Sequence, residues 1–302
     1  MRYVINGCLQ TMVSPIRFVM FHIHKALVNI APERKEQFEK ELSDFTLEYL
    51  DTDEFICNVS VPKKHICLSR RVVELLWGIS FGYLTFYTKV IQRYKPMTKM
   101  ELDLTQDPEV AEAMKLLKWA YTNWLNPKAQ TPWPSDLPSP VEQPTSGSMQ
   151  NTTDELALCA ITAYLHHELA HIRLNHTGSS SIEQEKEADY AMAEWILDNN
   201  LQLNDDIFIK RSLGIAVAME ALTAYGIYSG DFGGENHPFS YDRLINTISR
   251  YISDPHHIVW AFLASTLKLH LDNRNIPTPT IQYSNFKERV NSYADILSRL
   301  NN

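Results

Sequence analysis

The sequence predicts an α+β fold that is mainly α. Two observations carry this reading. Apolar residues recur at helical spacing behind capping signals over most of the chain, while one short β-branched stretch, residues 54–69, reads as strand. The 302 residues are 44% hydrophobic and 21% charged with only 10 glycines, which excludes collagen-like, low-complexity and wholly disordered chains. That length admits one large domain or two small ones.

In chain order, the first 50 residues read as helical, with Ala31-Pro32-Glu33 opening a charged segment in which Phe38, Leu42, Phe45 and Tyr49 fall on one helical face. Glu54 to Val61 and His65 to Ser69 flank Pro62-Lys63-Lys64 and read as a β-hairpin. Arg70 to Tyr94 is expected to be a helix stopped by Pro96. Its uncharged part, Leu75 to Thr88, is interrupted by Gly78, Ser80, Gly82, Thr85 and Thr88. A bilayer span needs about 20 apolar residues, so a buried helix is expected, with no transmembrane segment; peripheral membrane contact stays open. Asp107-Pro108-Glu109 starts the next helix, Asp capping and Pro taking the first helical position. Prolines then crowd between Pro127 and Pro144, and Ser, Gly, Thr and Asn follow up to residue 152. This composition resists regular structure and marks a loop or linker. The expected organisation is therefore an N-terminal helical region with the hairpin (1–125), a Pro-rich loop (126–151) and a helical region carrying the chemistry (152–302).

Charge and cysteine usage narrow the function. Lys and Arg total 28 against 36 Asp and Glu, a formal net charge of −8, so the basic footprint of a nucleic-acid binder is absent. The four cysteines (Cys8, Cys57, Cys67, Cys159) include no CxxC pair, which points to a reduced, cytoplasmic setting. The first 25 residues lack the basic start, apolar core and small-residue cleavage site of a secretory signal.

The chemistry concentrates after residue 152. Thr152 and Glu155 offer a capping box for a helix expected to run to about Gly178. Within it, His167-Glu168-Leu169-Ala170-His171 is HExxH. Residues four apart share a helical face, so both imidazoles can converge on one zinc ion. Glu168, rotated about 100° from His167, flanks that metal and can take a proton from an attacking water. A third protein ligand is needed. Leu174 and Thr177 break the extended pattern that would supply a third histidine, so a carboxylate is expected. Ser181 and Gln184 open another helix, on which Glu185 and Asp189 share a face. Glu185 can complete the zinc sphere, and Asp189 can accept the outer N–H of a ligating histidine. Only fourteen positions separate Glu185 from His171, which leaves Glu183 and Glu187 as alternatives.

HExxH followed on the next helix by Glu185-Lys186-Glu187-Ala188-Asp189 resembles the gluzincin metallopeptidases, and specifically the Lit-type phage-exclusion peptidase family. The resemblance implies a zincin-like core built of an active-site helix, a glutamate-bearing helix and a small upstream sheet. It implies Zn2+ on His167, His171 and Glu185, Glu168 as base and Asp189 as outer support. Asn236-His237-Pro238 with Asp242-Arg243-Leu244 is similar to a downstream gluzincin segment, which implies that His237 stabilises the tetrahedral oxyanion. The family further implies a cytoplasmic protein substrate, a translation elongation factor among the candidates, and a part in abortive phage defence.

Other residues take plainer readings. His166 and His176 lie off the ligand face, and His256-His257 carries no signal. Arg243 reads as an ion-pair partner for Asp242 or another acid. Cys159 reads as a small buried hydrophobe, and Ile215 to Tyr228 as a close-packed helix behind the metal. The hairpin can offer an edge strand to an extended peptide. The expected function is a zinc-dependent endopeptidase; the alternative is a non-catalytic zincin-like regulatory or protein-binding domain that keeps the motif.

Overall fold

A computed structural model describes residues 2–6, 13–42, 44–92, 107–128, 131–177, 181–198, 205–235 and 237–301. The chain is mainly helical, with one small sheet, as expected. Strand β1 (Arg2–Asn6) precedes α1 (Arg17–Asn29) and α2 (Lys35–Glu41), and β2 follows at Thr46–Leu50. The expected single helical face from Phe38 to Tyr49 therefore breaks. Phe38 lies on α2, whereas Leu47 and Tyr49 point inward from β2, whose burial alternates along the strand. Phe45 and Tyr49 fit both a 3.6 and a 2.0 period, whereas Leu47 fits only the latter, and pairing with neighbouring strands decides for it.

The hairpin is present. Strands β3 (Cys57–Ser60) and β4 (His65–Ser69) pair antiparallel with Ser60 opposite His65. A short 3-10 turn, Val61–Lys63, and Lys64 at φ 48° join them. The hairpin forms half of a four-stranded sheet of order β1-β2-β4-β3, in which β1, β2 and β4 are mutually parallel. Strand β3 is thus an edge.

Ser69 ends β4 and caps α3 (Arg70–Phe86), accepting the amide of Val72; a π-helical turn, Tyr87–Ile91, extends it. The expected stop at Tyr94 and Pro96 lies outside the described residues. Helix α4 (Pro108–Leu125) starts as expected, with Asp107 accepting the amides of Glu109 and Val110. The Pro-rich stretch forms no helix or strand among its described residues, yet it is fastened down. Trp133 packs its ring against Trp77 and Trp119, 5.5 and 5.0 Å between centroids, and Thr131 bonds Asn123.

Helix α5 (Met149–Arg173) begins one turn before the expected capping box. Ser148 caps it by accepting the Asn151 amide, while Asn151 Oδ1 accepts the amide of Gly147, so Thr152 is already inside the helix. Its 25 residues span roughly 37 Å at 1.5 Å per residue. Leu156, Ala160, Ala163, Leu165 and Leu169 are buried, which places the helix inside the molecule between α1, α3, α6 and α7.

Helices α6 (Ile182–Leu197), α7 (Asp205–Ser229), α8 (Ser240–Tyr251), α9 (Ile258–Asn273) and α10 (Phe286–Leu300) complete the chain. Ser181 caps α6 through the Gln184 amide as expected. Helix α7 starts ten residues before Ile215, and His257 caps α9 by accepting the Val259 amide. A Cβ on Gly214 of α7 would sit 2.4 Å from Cys159 Cβ, so glycine lets α7 close onto α5 and the buried Cys159 fills the contact. Among the described residues no helix is long and apolar enough to cross a membrane.

Candidate metal centre

His167 and His171 sit four residues apart on α5, and their Nε2 atoms converge to 3.2 Å. Two unprotonated imidazole nitrogens aimed at each other repel unless a proton or a cation lies between them. Helix α6 packs antiparallel against the end of α5 and brings Glu185 to the same point. Glu185 Oε2 lies 3.4 Å from His167 Nε2, and Oε1 lies 3.6 Å from His171 Nε2. Metal bonds of 2.0–2.1 Å in a tetrahedron give edges of about 3.3–3.4 Å. The two imidazoles and the carboxylate, whose two oxygens each face one ring, converge to within 4.8 Å, close to that spacing, and all three residues are buried. A His2Glu donor set of this kind fits a borderline cation such as zinc.

Packing separates Glu185 from its neighbours. Glu183 is exposed and bonds Lys186 at 2.8 Å, and Glu187 turns toward His176. Glu185 alone of the three faces the imidazoles.

Each histidine has an outer partner. Asp189, 2% exposed, places Oδ1 2.9 Å from His167 Nδ1. Arg243 from α8 grips the same carboxylate, Nε and Nη2 donating at 2.7 and 2.8 Å. Arg243 is thus an ion-pair partner as expected, with Asp189 and not Asp242 as the acid. Burial alone would raise the Asp189 carboxyl, but Arg243 and His167 outweigh it and hold it below the ordinary value.

The outer partner of His171 was not foreseen. Helix α5 ends at Leu174, and Asn175 takes φ 54°; the amides of His176 and Asn175 return to the carbonyls of His171 and Ile172. This is a Schellman turn with Asn in the left-handed position. It folds His176 back so that the Nδ1 atoms of His171 and His176 lie 2.9 Å apart, with His176 Nε2 3.0 Å from Glu187 Oε2. A carboxylate only accepts, so His176 donates from Nε2 to Glu187 and accepts at Nδ1 from His171. His171 is left with a lone pair on Nε2, facing the convergence point. The expectation that His176 is a bystander fails; the signal lay in Asn175, a residue that tolerates the left-handed conformation.

Glu168 flanks the group. Burial pushes its carboxyl up to about 7, with Glu185 adding to the rise. Its charge also reaches Cys57 on the edge strand β3, where it adds to burial in raising the thiol. His237, 55% exposed at the rim, lies 3.1 Å from Glu185 Oε2 through Nδ1. His166 faces the core, Nε2 3.1 Å from the Leu27 carbonyl and its ring stacked on Trp195. A cavity of about 290 Å³ opens between α6 and α8 beside Arg243, lined by Ile182, Tyr190, Pro238, Phe239 and Asp242.

An HExxH helix answered by a glutamate of the following helix, with a raised carboxyl beside them, is the equipment of a hydrolase acting on peptide bonds, and comparison with known proteins agrees that the chain is a peptidase. It belongs to the Peptidase U49 family, whose family model matches residues 66–263. It is also similar to the "Cell death peptidase" of Escherichia coli (strain K12), 27% identical over 272 residues that cover 87% of this chain and 91% of that protein. The resemblance to the Lit-type peptidases is thereby borne out. No solved structure matches.

Proposed function

We propose that this peptidase is a zinc-dependent endopeptidase. The observation that carries the reading is the convergence of His167, His171 and Glu185: the two Nε2 atoms lie 3.2 Å apart, one carboxylate oxygen of Glu185 lies 3.4 Å from the first and the other 3.6 Å from the second, and one donor atom from each residue lies within 4.8 Å of both others, a spacing that a single zinc ion can draw together. When bound, zinc supplies Lewis acidity toward a water and a scissile carbonyl. Asp189 and the His176–Glu187 pair hold the two imidazoles in the tautomer with Nε2 unprotonated. Glu168 accepts a proton from the attacking water and delivers it to the leaving amine, a task suited to a carboxyl raised toward neutral pH. The His237 ring stands at the rim and stabilises the negative oxygen that develops on the substrate.

Substrate capture follows from the sheet. Among the described residues strand β3 pairs only with β4, and its Cys57 lies within electrostatic reach of Glu168. An extended peptide adds its backbone hydrogen bonds there and lies across the donors. The cavity beside Arg243 receives one side chain, between apolar Ile182, Pro238 and Phe239 and charged Lys186 and Asp242. The relative's printed name, "Cell death peptidase", supports a protein substrate whose cleavage kills the host cell. We place the action in the cytoplasm, in abortive phage defence, with a translation elongation factor as the leading substrate.

The test pairs Glu168→Gln with His171→Ala in elemental analysis and a cell-killing assay. Glu168→Gln should keep the wild-type zinc content and lose toxicity, whereas His171→Ala should lose one zinc per chain and its toxicity. Equal zinc in His171→Ala and wild type would overturn the metal site, and full toxicity of Glu168→Gln would overturn the base.

A further inference from the structure

A second group of potential ligands lies on the sheet, on the face opposite the peptidase site. Strands β2 and β4 pair in parallel with Glu48 beside Cys67, and His65 is two residues before Cys67 on the same face of β4. Leu47, Tyr49, Ile66 and Leu68 take the other face and are buried. His65 Nε2 lies 2.9 Å from Glu48 Oε2, and Cys67 Sγ lies 3.7 Å from the same oxygen. One donor atom from each of the three residues falls within 4.8 Å of both others. A zinc ion bound at about 2.0–2.3 Å to N, O and S donors needs separations of about 3.3–3.7 Å, which small side-chain rotations supply here.

We propose that Glu48, His65 and Cys67 form a second metal site, selective for zinc or a similarly thiophilic divalent cation. Three different donor types converge, and the thiolate selects against calcium and magnesium. The residues are half-buried, which leaves the fourth corner to water, as in sites with three protein ligands. A bound ion would cross-link β2 to β4, the strand that carries the edge β3. The site uses none of the peptidase residues, so it stands or falls independently of the function proposed above.

Cobalt(II) provides the test, because the His167–His171–Glu185 group holds no sulfur and gives no thiolate-to-metal absorption. Full-length protein, freed of metal and titrated with cobalt, should develop a near-ultraviolet thiolate charge-transfer band that saturates by about two equivalents, one for each of the two sites. Cys67→Ser should abolish the band. His65→Ala, which keeps the thiol, should weaken cobalt binding at this site at least tenfold. Cys57→Ser, on the other face of the sheet, and His171→Ala should both retain the band. Absence of the band in wild type, or its persistence in Cys67→Ser, would overturn the proposal.

Discussion

Replacing His176 by alanine isolates the outer support of His171. The change removes the acceptor 2.9 Å from His171 Nδ1 and the link to Glu187, and touches no proposed zinc donor. Partners behind a ligating histidine are worth about 10–100-fold in metal affinity, or about 1.4–2.7 kcal/mol. Glu187 is 62% exposed, and an exposed ion pair contributes about 0–1 kcal/mol. Glu187→Gln, which keeps an acceptor oxygen, should therefore weaken zinc less than about fivefold. Competition against a chromophoric chelator measures both, and thermal unfolding of the metal-free proteins checks that the fold is intact. His176→Ala should bind zinc at least tenfold more weakly while its metal-free unfolding temperature stays near wild type. An affinity within twofold of wild type would refute the reasoning.

Four further outcomes are expected. Asp189→Asn leaves Arg243 as a buried charge without its bidentate partner, so stability should fall by about 3–5 kcal/mol in urea unfolding, several times the effect of Glu187→Gln. Burial lowers the metal-free His167, but Asp189 and Glu185 outweigh it and raise the group to about 9, so zinc must displace a proton at neutral pH. Calorimetry in buffers of different ionisation enthalpy should accordingly report release of about one proton per zinc at pH 7, and zero would contradict the assignment. Burial depresses His270 to about 3, between the hydroxyls of Tyr83 and Tyr228. Because the unfolded chain protonates first, its contribution is complete above about pH 6.5 and is lost toward pH 3, about 2 kcal/mol by pH 5; denaturant unfolding at pH 7 and pH 5 tests this. Gly214→Ala would force a methyl to within 2.4 Å of Cys159 Cβ, and the overpacking should cost about 1–3 kcal/mol by the same measurement.

What could be read in the sequence was what is local. HExxH needs only one helical turn to aim two imidazoles together, and Asp107, Ser181 and the β3–β4 hairpin announce themselves within a few residues. Strands β1 and β2 were missed because parallel strands have no tight turn between them and pair across long loops. The choice of Glu185 over Glu183 and Glu187 depends on how α6 rolls against α5, which the spacing left open. Arg243 meets Asp189 across 54 positions, so its partner among several acids was not readable. His176 was missed through a misplaced helix end: Gly178 was favoured as terminator, and Asn175 performs that task three residues earlier.

All three inner donors and both outer supports fall between residues 167 and 189, on α5, α6 and the turn that joins them. The proposed grip on a cation is thus nearly a cassette, contributed by α5, the turn that ends it and α6, and assembled through short-range contacts. The rest of the polypeptide donates counter-charge through Arg243 and, in the function proposed above, holds the peptide to be cut. Transplanting that segment onto another helical scaffold should carry ion capture and the base Glu168 with it, while peptide capture would stay behind with the sheet.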